Sequence, residues 1–266
     1  MQRSKSSVLV SVNLRQQFIL CCCILVSLLF SLHIMAVDAN QLFSSANKAY
    51  KATQYEKAIE GYSQVRAKGV ANAALYYNLG NAHYKLGHIS QAILNYERAL
   101  KLQPTDEDAQ HNLRLMNTKI VDRVLRVPQL AIVSGWQNFV HGRSAKGWSL
   151  VAVALVWVAL LFFAAYLFVP SVRRLGFFAG IVFMLAALFT TYLAFSQNHY
   201  EKNSGEAILM AANTYVKSAP DAGSTDIFMI HEGLKLEVLD QVGEWAKIRL
   251  ADGKVGWINR NAMERI

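Results

Sequence analysis

Cysteine is almost missing from this chain. Its three cysteines stand together at 21–23, inside one apolar run, so the rest of the chain can form no disulfide and offers no thiol nucleophile. Catalytic signatures are missing too: there is no HExxH, CxxC, G-x-S-x-G, phosphate-binding loop or dinucleotide glycine pattern. The histidines at 83, 88, 111, 141, 199 and 231 are scattered. His83 and His88 can meet across one turn, but five apart is poor spacing for a shared ligand on one helix face. No enzyme, cofactor or metal is expected from these residues. Charge is thin at 17%, and residues 127–200 contain no acid. The net charge of +9 is spread over several segments with no basic run, which argues against nucleic-acid binding.

Apolar runs are abundant. Residues 148–169 and 175–196 contain no charged residue. Each is long enough, at about 33 Å as a helix, to cross a hydrocarbon core of about 30 Å. A short turn at 170–174 carries Arg173 and Arg174. No charge inside either span argues against an ion or proton pathway, and GFFAG at 176–180 is a small-xxx-small pattern able to pack span against span. A third run, FILCCCILVSLLFSLHIMA, comes after Arg3, Lys5 and Arg15 and precedes Val37-Asp38-Ala39. This is the pattern of a secretory leader over 1–39, cleaved after Ala36 or Ala39 or retained as a signal anchor. A leader exports the polypeptide behind it, so the first span comes inward, VPSVRRLG faces the cytoplasm, and the second span returns outward. Both flanking regions then share the extracytoplasmic side of a cytoplasmic (inner) membrane, consistent with short basic loops staying inside.

The region between leader and first span repeats itself. Shifted by 34, Ala46-Asn47 falls on Gly80-Asn81, Tyr50-Lys51 on Tyr84-Lys85, Ala58-Ile59 on Ala92-Ile93, and Tyr62 on Tyr96. Thirty-four residues is the tetratricopeptide (TPR) period. The second copy, 73–106, resembles the TPR consensus through Tyr76, Leu79, Gly80, Ala92, Tyr96, Ala99 and Pro104. The first, 39–72, has Ala46 where the glycine belongs. Together with an amphipathic helix expected at 106–126, acidic at its start and basic at its end, they form an all-α TPR region over 40–126. Two repeats and a cap make a short array, completed by a partner, by self-association or by the membrane. The TPR resemblance implies a concave face displaying Ser44, Asn47, Tyr50, Lys51, Tyr77, Asn78, Asn81, Tyr84, Lys85 and Asn112. Phe43 and Asp108 stand where a C-terminal-carboxylate clamp has lysines, so the resemblance implies a peptide groove and not a reader of C-terminal carboxylates. Val127-Pro128 breaks the last helix. Residues 127–147 then read as a linker or as an interfacial helix with Trp136.

After 205 the pattern changes to short alternating strands: Leu234, Leu236 and Val238, then Ala246, Ile248 and Leu250. Asp252-Gly253 is a hairpin signal. The sixty residues suit a small all-β barrel. VKSAP, the HEG turn, GEWAKIRLADGKVGWI and NAMERI resemble the bacterial SH3 (SH3b) domain. That resemblance implies binding of wall peptides or protein segments, with Tyr215, Trp245 and Trp257 as groove aromatics.

The whole order is leader, two repeats, cap, two-span hairpin and SH3b. It resembles the TPR/SH3b membrane proteins of the Bat (aerotolerance) operons. The resemblance implies a non-enzymatic scaffold whose partners are von Willebrand A-domain membrane proteins and a MoxR-type ATPase. The alternative is a peptidoglycan-binding accessory protein dominated by its SH3b domain.

Overall fold

The computed structural model describes residues 38–122, 131–203 and 205–266. The expected leader segment with its cysteines, apart from Asp38 and Ala39, and the expected Val127-Pro128 break lie outside the described residues. The chain divides into two compact units, one reaching to Val70 and the other Ala71–Ile266.

The first unit is a helix pair, α1 (38–51) and α2 (Tyr55–Ala67). Two helices approach closely only where one of them lacks bulk. Ala46 supplies the small residue on α1, and the space opposite comes from Gly61 on α2, where a Cβ would stand 2.9 Å from that of Ala46. The glycine missing from the first repeat has in effect moved across the contact. The Phe43 and Tyr62 rings pack beside it, 5.7 Å apart.

The second unit begins with α3 (Ala73–Lys85) and α4 (Ile89–Leu102). Asn72 caps α3 by accepting from the Leu75 amide at 2.8 Å, satisfying a donor the first turn cannot. Gly80 lies under the Tyr96 ring, where a Cβ would sit 2.7 Å from a ring carbon. Helix α5 (Glu107–Asn117) is capped by Asp106 and packs on α4 through Leu113 and Met116. It stops at Asn117 instead of running to 126. The Thr118 hydroxyl turns back to the Leu115 carbonyl at 2.7 Å, and the chain leaves the helix to place Ile120 and Asp122 against the C-terminal module.

Helix α6 (Ala131–His141) leads into α7 (Ala145–Phe168), capped by Ser144. A 3-10 turn at Pro170–Val172 reverses the chain into α8 (Arg173–Asn203). Proline opens that turn because its fixed φ suits it and it lacks the N–H a continuing helix would need. Helices α7 and α8 pack as an antiparallel hairpin. Gly176 lies against the Phe162 and Tyr166 backbone, Gly180 against the Phe163 ring, and Phe162 stacks on Phe183 at 5.3 Å. Both helices are long and apolar enough to cross a membrane, and their outward residues are apolar: Leu150, Val153, Trp157 and Leu161 on α7, Val182, Leu185 and Phe189 on α8. Helix α8 continues past residue 196 through a polar end, Gln197 to Asn203, in which Gln197 meets His141 of α6.

The C-terminal module is an antiparallel sheet of seven strands: β1 (Glu206–Leu209), β2 (Asn213–Lys217), β3 (Asp226–His231), β4 (Lys235–Val242), β5 (Trp245–Arg249), β6 (Val255–Asn259) and β7 (Met263–Arg265). Their order is β3-β2-β6-β5-β4-β1-β7. Strict alternation sends Val216, Ile230, Leu236, Ala246, Ile248 and Ile258 into one core. Gly253 closes the β5–β6 hairpin at φ +90°, where its neighbour's amide donates to Asp252 at 3.0 Å. The chain is thus a helical TPR-like region, two long apolar helices and an SH3b-like all-β module, the fold class expected from the sequence.

Candidate functional site

The module boundary within the second unit is built by one turn. His231-Glu232-Gly233, at the turn from β3 to β4, makes a contact to α4 or to the segment after α5 with each of its residues. The His231 amide and ring both meet Asp122, at 2.6 and 3.0 Å. Glu232 accepts from the Ser90 hydroxyl at 2.9 Å. Gly233, at φ +83°, touches Ile120 and Ile93 so closely that a Cβ would stand 2.7 and 3.0 Å from them. Beneath lies an apolar cluster shared by both modules: Ile93, Tyr96 and Met116 from the helices, Ile208, Met210 and Ile266 from the strand side. The outer side of α4 is therefore covered by the strand module.

A charged seam borders that cluster. Lys235 on β4 lies between Glu97 of α4 at 2.9 Å and Glu206 of β1 at 3.1 Å. Burial works to lower the Lys235 pKa, and the two carboxylates outweigh it, leaving the ammonium above its ordinary value. Arg98 reaches Glu264 and Lys101 the Ile266 carbonyl, both at 2.9 Å. Burial holds the Lys101 ammonium below the usual lysine range. Tyr200, near the end of α8, hydrogen-bonds to Glu206 and packs against the His141 ring, so the seam also ties the hairpin to the strand module. Composition hid this seam, because its charges are far apart in sequence. The available signal was HEG itself, two polar residues beside a glycine at a barrel turn.

The candidate groove residues of the repeats divide into two kinds. Asn81 is committed: its side-chain oxygen accepts from the Tyr96 hydroxyl at 2.7 Å and the Asn112 amide at 2.9 Å. Asn47 repeats the arrangement in the first unit, accepting from Tyr62 at 2.7 Å. Both pairs are fifteen residues apart, so these asparagines tie α1 to α2 and α3 to α4. Tyr77, packed 6.1 Å from Tyr96, and Tyr84, with the Lys119 ammonium over its ring, are partly exposed on α3, as is Asn78; Lys85 is exposed. On α1, Tyr50 packs edge-on to Tyr55 and Lys51 is exposed. A double-mutant cycle on Asn81→Ala and Asn112→Ala is expected to show a coupling of about 1 kcal/mol in thermal unfolding. Strict additivity would mean that the bond contributes nothing. Tyr84 and Lys85 are the cleaner recognition probes, because changing Asn81 also loosens the repeat.

The three strand-module aromatics share one face. Lys217 on β2 pairs with Trp257 on β6, which pairs with Lys247 on β5, and Trp245 pairs with Asn259. The pleat puts Tyr215 and Lys217 on the same side, opposite the core. Tyr215 is 53% exposed and pairs with Met229, also exposed. Lys247 sits over the Trp257 ring, 5.9 Å from its centroid. This outer face is a mixed aromatic and cationic surface suited to stacking and polar contact.

His83 and His88 do meet, with Nδ1 atoms 3.4 Å apart. Spacing along a single helix does not govern them, because Leu86 and Gly87 form a turn between them and His88 opens α4. Among the described residues no three histidine, cysteine or acidic side chains are grouped to hold a metal ion.

Comparison with known families agrees with this geometry at two places. Residues 73–106, which are α3, α4 and the turn after them, match the tetratricopeptide repeat. Residues 212–263, from β2 into β7, match the bacterial SH3 domain. Both families are typically non-catalytic interaction modules, and the chain carries one of each on either side of two apolar helices.

Proposed function

We propose that this protein is a non-enzymatic, membrane-anchored scaffold that binds partner proteins through its TPR and SH3b modules. The observation that carries the reading is the docking between α4 and the HEG turn. The modules pack together by their backs, and Tyr77 and Tyr84 on one and Tyr215 on the other stay at least partly exposed. The implied groove is Asn47, Tyr50, Lys51, Tyr77, Asn78, Asn81, Tyr84 and Lys85; on the SH3b side it is Tyr215, Trp245 and Trp257. In this reading residues 1–39 are a leader, 148–169 and 175–196 the spans, 170–174 a cytoplasmic turn, and 40–126 and 205–266 the extracytoplasmic modules of an inner-membrane protein. Its place is in a Bat/MoxR-type stress-tolerance complex, with von Willebrand A-domain membrane proteins and a MoxR-type ATPase as partners. The aromatic outer face of the strands favours one rival, peptidoglycan as the main ligand.

Two experiments test it. Affinity capture of the full chain after crosslinking in native membranes is expected to lose protein partners with Tyr84→Ala/Lys85→Glu, while Tyr215→Ala/Trp257→Ala removes a second set. If only the second pair matters and the captured material is wall fragments, the accessory reading replaces the scaffold. A reporter fused at Arg174 is expected to be active on the cytoplasmic side; periplasmic activity there overturns the topology.

A further inference from the structure

Helix α6 is not a free connector. Val140 packs into an apolar cluster with Trp148, Leu193 and Ala194 at the head of the hairpin. The Trp148 indole N–H donates to the Val140 carbonyl at 2.9 Å, and the His141 ring meets the Gln197 side-chain oxygen at 2.7 Å. Glu201 completes the collar by accepting from the Ala145 amide at 2.8 Å. These contacts fix both the height and the rotation of α6 against the first turn of α7.

The rotation leaves aromatics outside. Trp136 and Phe139 are 51% and 52% exposed. Their rings lie 6.0 Å apart, and Phe139 meets Trp148 edge-on at 5.3 Å. The row Trp136–Phe139–Trp148 thus runs onto α7 just before its outward apolar band opens at Leu150 and Val153. Two large exposed aromatics beside each other on a pinned helix are costly in water. Arg143 and Lys146, both exposed, flank the same entry, and no acidic residue occurs from 127 to 200. An aromatic face at the end of an apolar band, edged by exposed cations while the collar carboxylate Glu201 is held on the Ala145 amide, matches the headgroup layer of a bilayer.

We propose that α6 lies in the membrane interface, with Trp136 and Phe139 in the boundary between headgroups and acyl chains and Arg143 and Lys146 at phosphate level. This rests on the reading of α7 and α8 as membrane-crossing, and it makes the membrane surface a second lipid contact beyond the two spans. By clamping α6 to Gln197 and the start of α7 to Glu201, the collar holds the end of α8, and through Tyr200 the charged seam, at a set height above the lipid.

The test is nitroxide depth measurement on the full chain, with Cys21, Cys22 and Cys23 replaced by serine. The protein is reconstituted in vesicles of phosphatidylcholine and phosphatidylglycerol. One sample is labelled at Trp136→Cys and another at Trp157→Cys, an exposed position in mid-helix. The label at 157 is expected near the bilayer centre. The label at 136 is expected about 5–10 Å below the phosphates, colliding with oxygen several-fold more often than with a water-soluble nickel chelate. A deep 157 with a water-exposed 136 overturns the interfacial placement and leaves the spans standing. A water-exposed 157 overturns the spans, and the proposal with them.

Discussion

Gly233→Ala is expected to destabilise the second unit by about 2–5 kcal/mol, the sum of two separable costs. The first is backbone strain, because Gly233 has φ +83° and a side chain there costs about 1–2 kcal/mol. The second is collision. The new Cβ would lie 2.7 Å from Ile120 and 3.0 Å from Ile93, and pushing apart packed apolar groups costs about 1–3 kcal/mol. Gly253→Ala isolates the first cost: Gly253 has φ +90° and nothing within 4 Å of the added carbon. Thermal unfolding in detergent should therefore rank wild type, then Gly253→Ala, then Gly233→Ala. Limited proteolysis should cut between α8 and β1 faster in the Gly233 variant alone. Equal behaviour of the two variants would show that the HEG turn carries no docking.

Lys235→Met should be the second large loss. It leaves Glu97 and Glu206 facing each other without the cation between them. A fully buried pair broken this way loses about 3–5 kcal/mol, but water reaches part of this seam, so about 2 kcal/mol is expected. The dependence on pH gives the mechanism a signature. Two carboxylates left together hold on to a proton more readily in the folded state than apart, so the variant's deficit should shrink as the pH falls through the carboxylate range. In the wild type the sign is the same, stability falling as pH rises, but the window is different. The Lys235 pKa is raised, so its contribution is whole below the unfolded value of about 10.4 and is lost only as pH rises beyond it. Docking should thus hold across the neutral range. Adding Glu97→Gln and Glu206→Gln to Lys235→Met should recover most of the loss and abolish its pH dependence. A deficit that stays flat from acid to neutral pH would remove the seam from the account.

The elements are legible because each has a period that local chemistry enforces. Tyr76, Leu79, Gly80, Ala92 and Tyr96 mark a helix crossing, and Asp252-Gly253 marks a hairpin by its need for positive φ. Long uncharged runs mark the hairpin helices by composition alone. The long-range contacts are not legible. Nothing local in Ser90 or Asp122 announces Glu232 and His231, more than a hundred residues away. Nor does the sequence say that Gly61 stands opposite Ala46 to replace a missing glycine. The cap helix is shorter than its amphipathic pattern, which continues to 126, because the tertiary contact of Ile120 with Gly233 favours an earlier exit. Position alone makes Asn47 and Asn81 groove residues. Their engagement with Tyr62 and Tyr96 is a distance the 34-residue repeat implies twice, visible only once both partners are placed.

The central claim is that the second repeat and the SH3b module act as one docked platform above the apolar hairpin. It is tested most directly by a spin-label distance measurement on the full chain in lipid nanodiscs, with labels at His111 on α5 and Asp240 on β4, both exposed. A single narrow distance distribution is predicted, broadened by Gly233→Ala. A distribution already broad in the wild type, as two modules tethered independently would give, contradicts it.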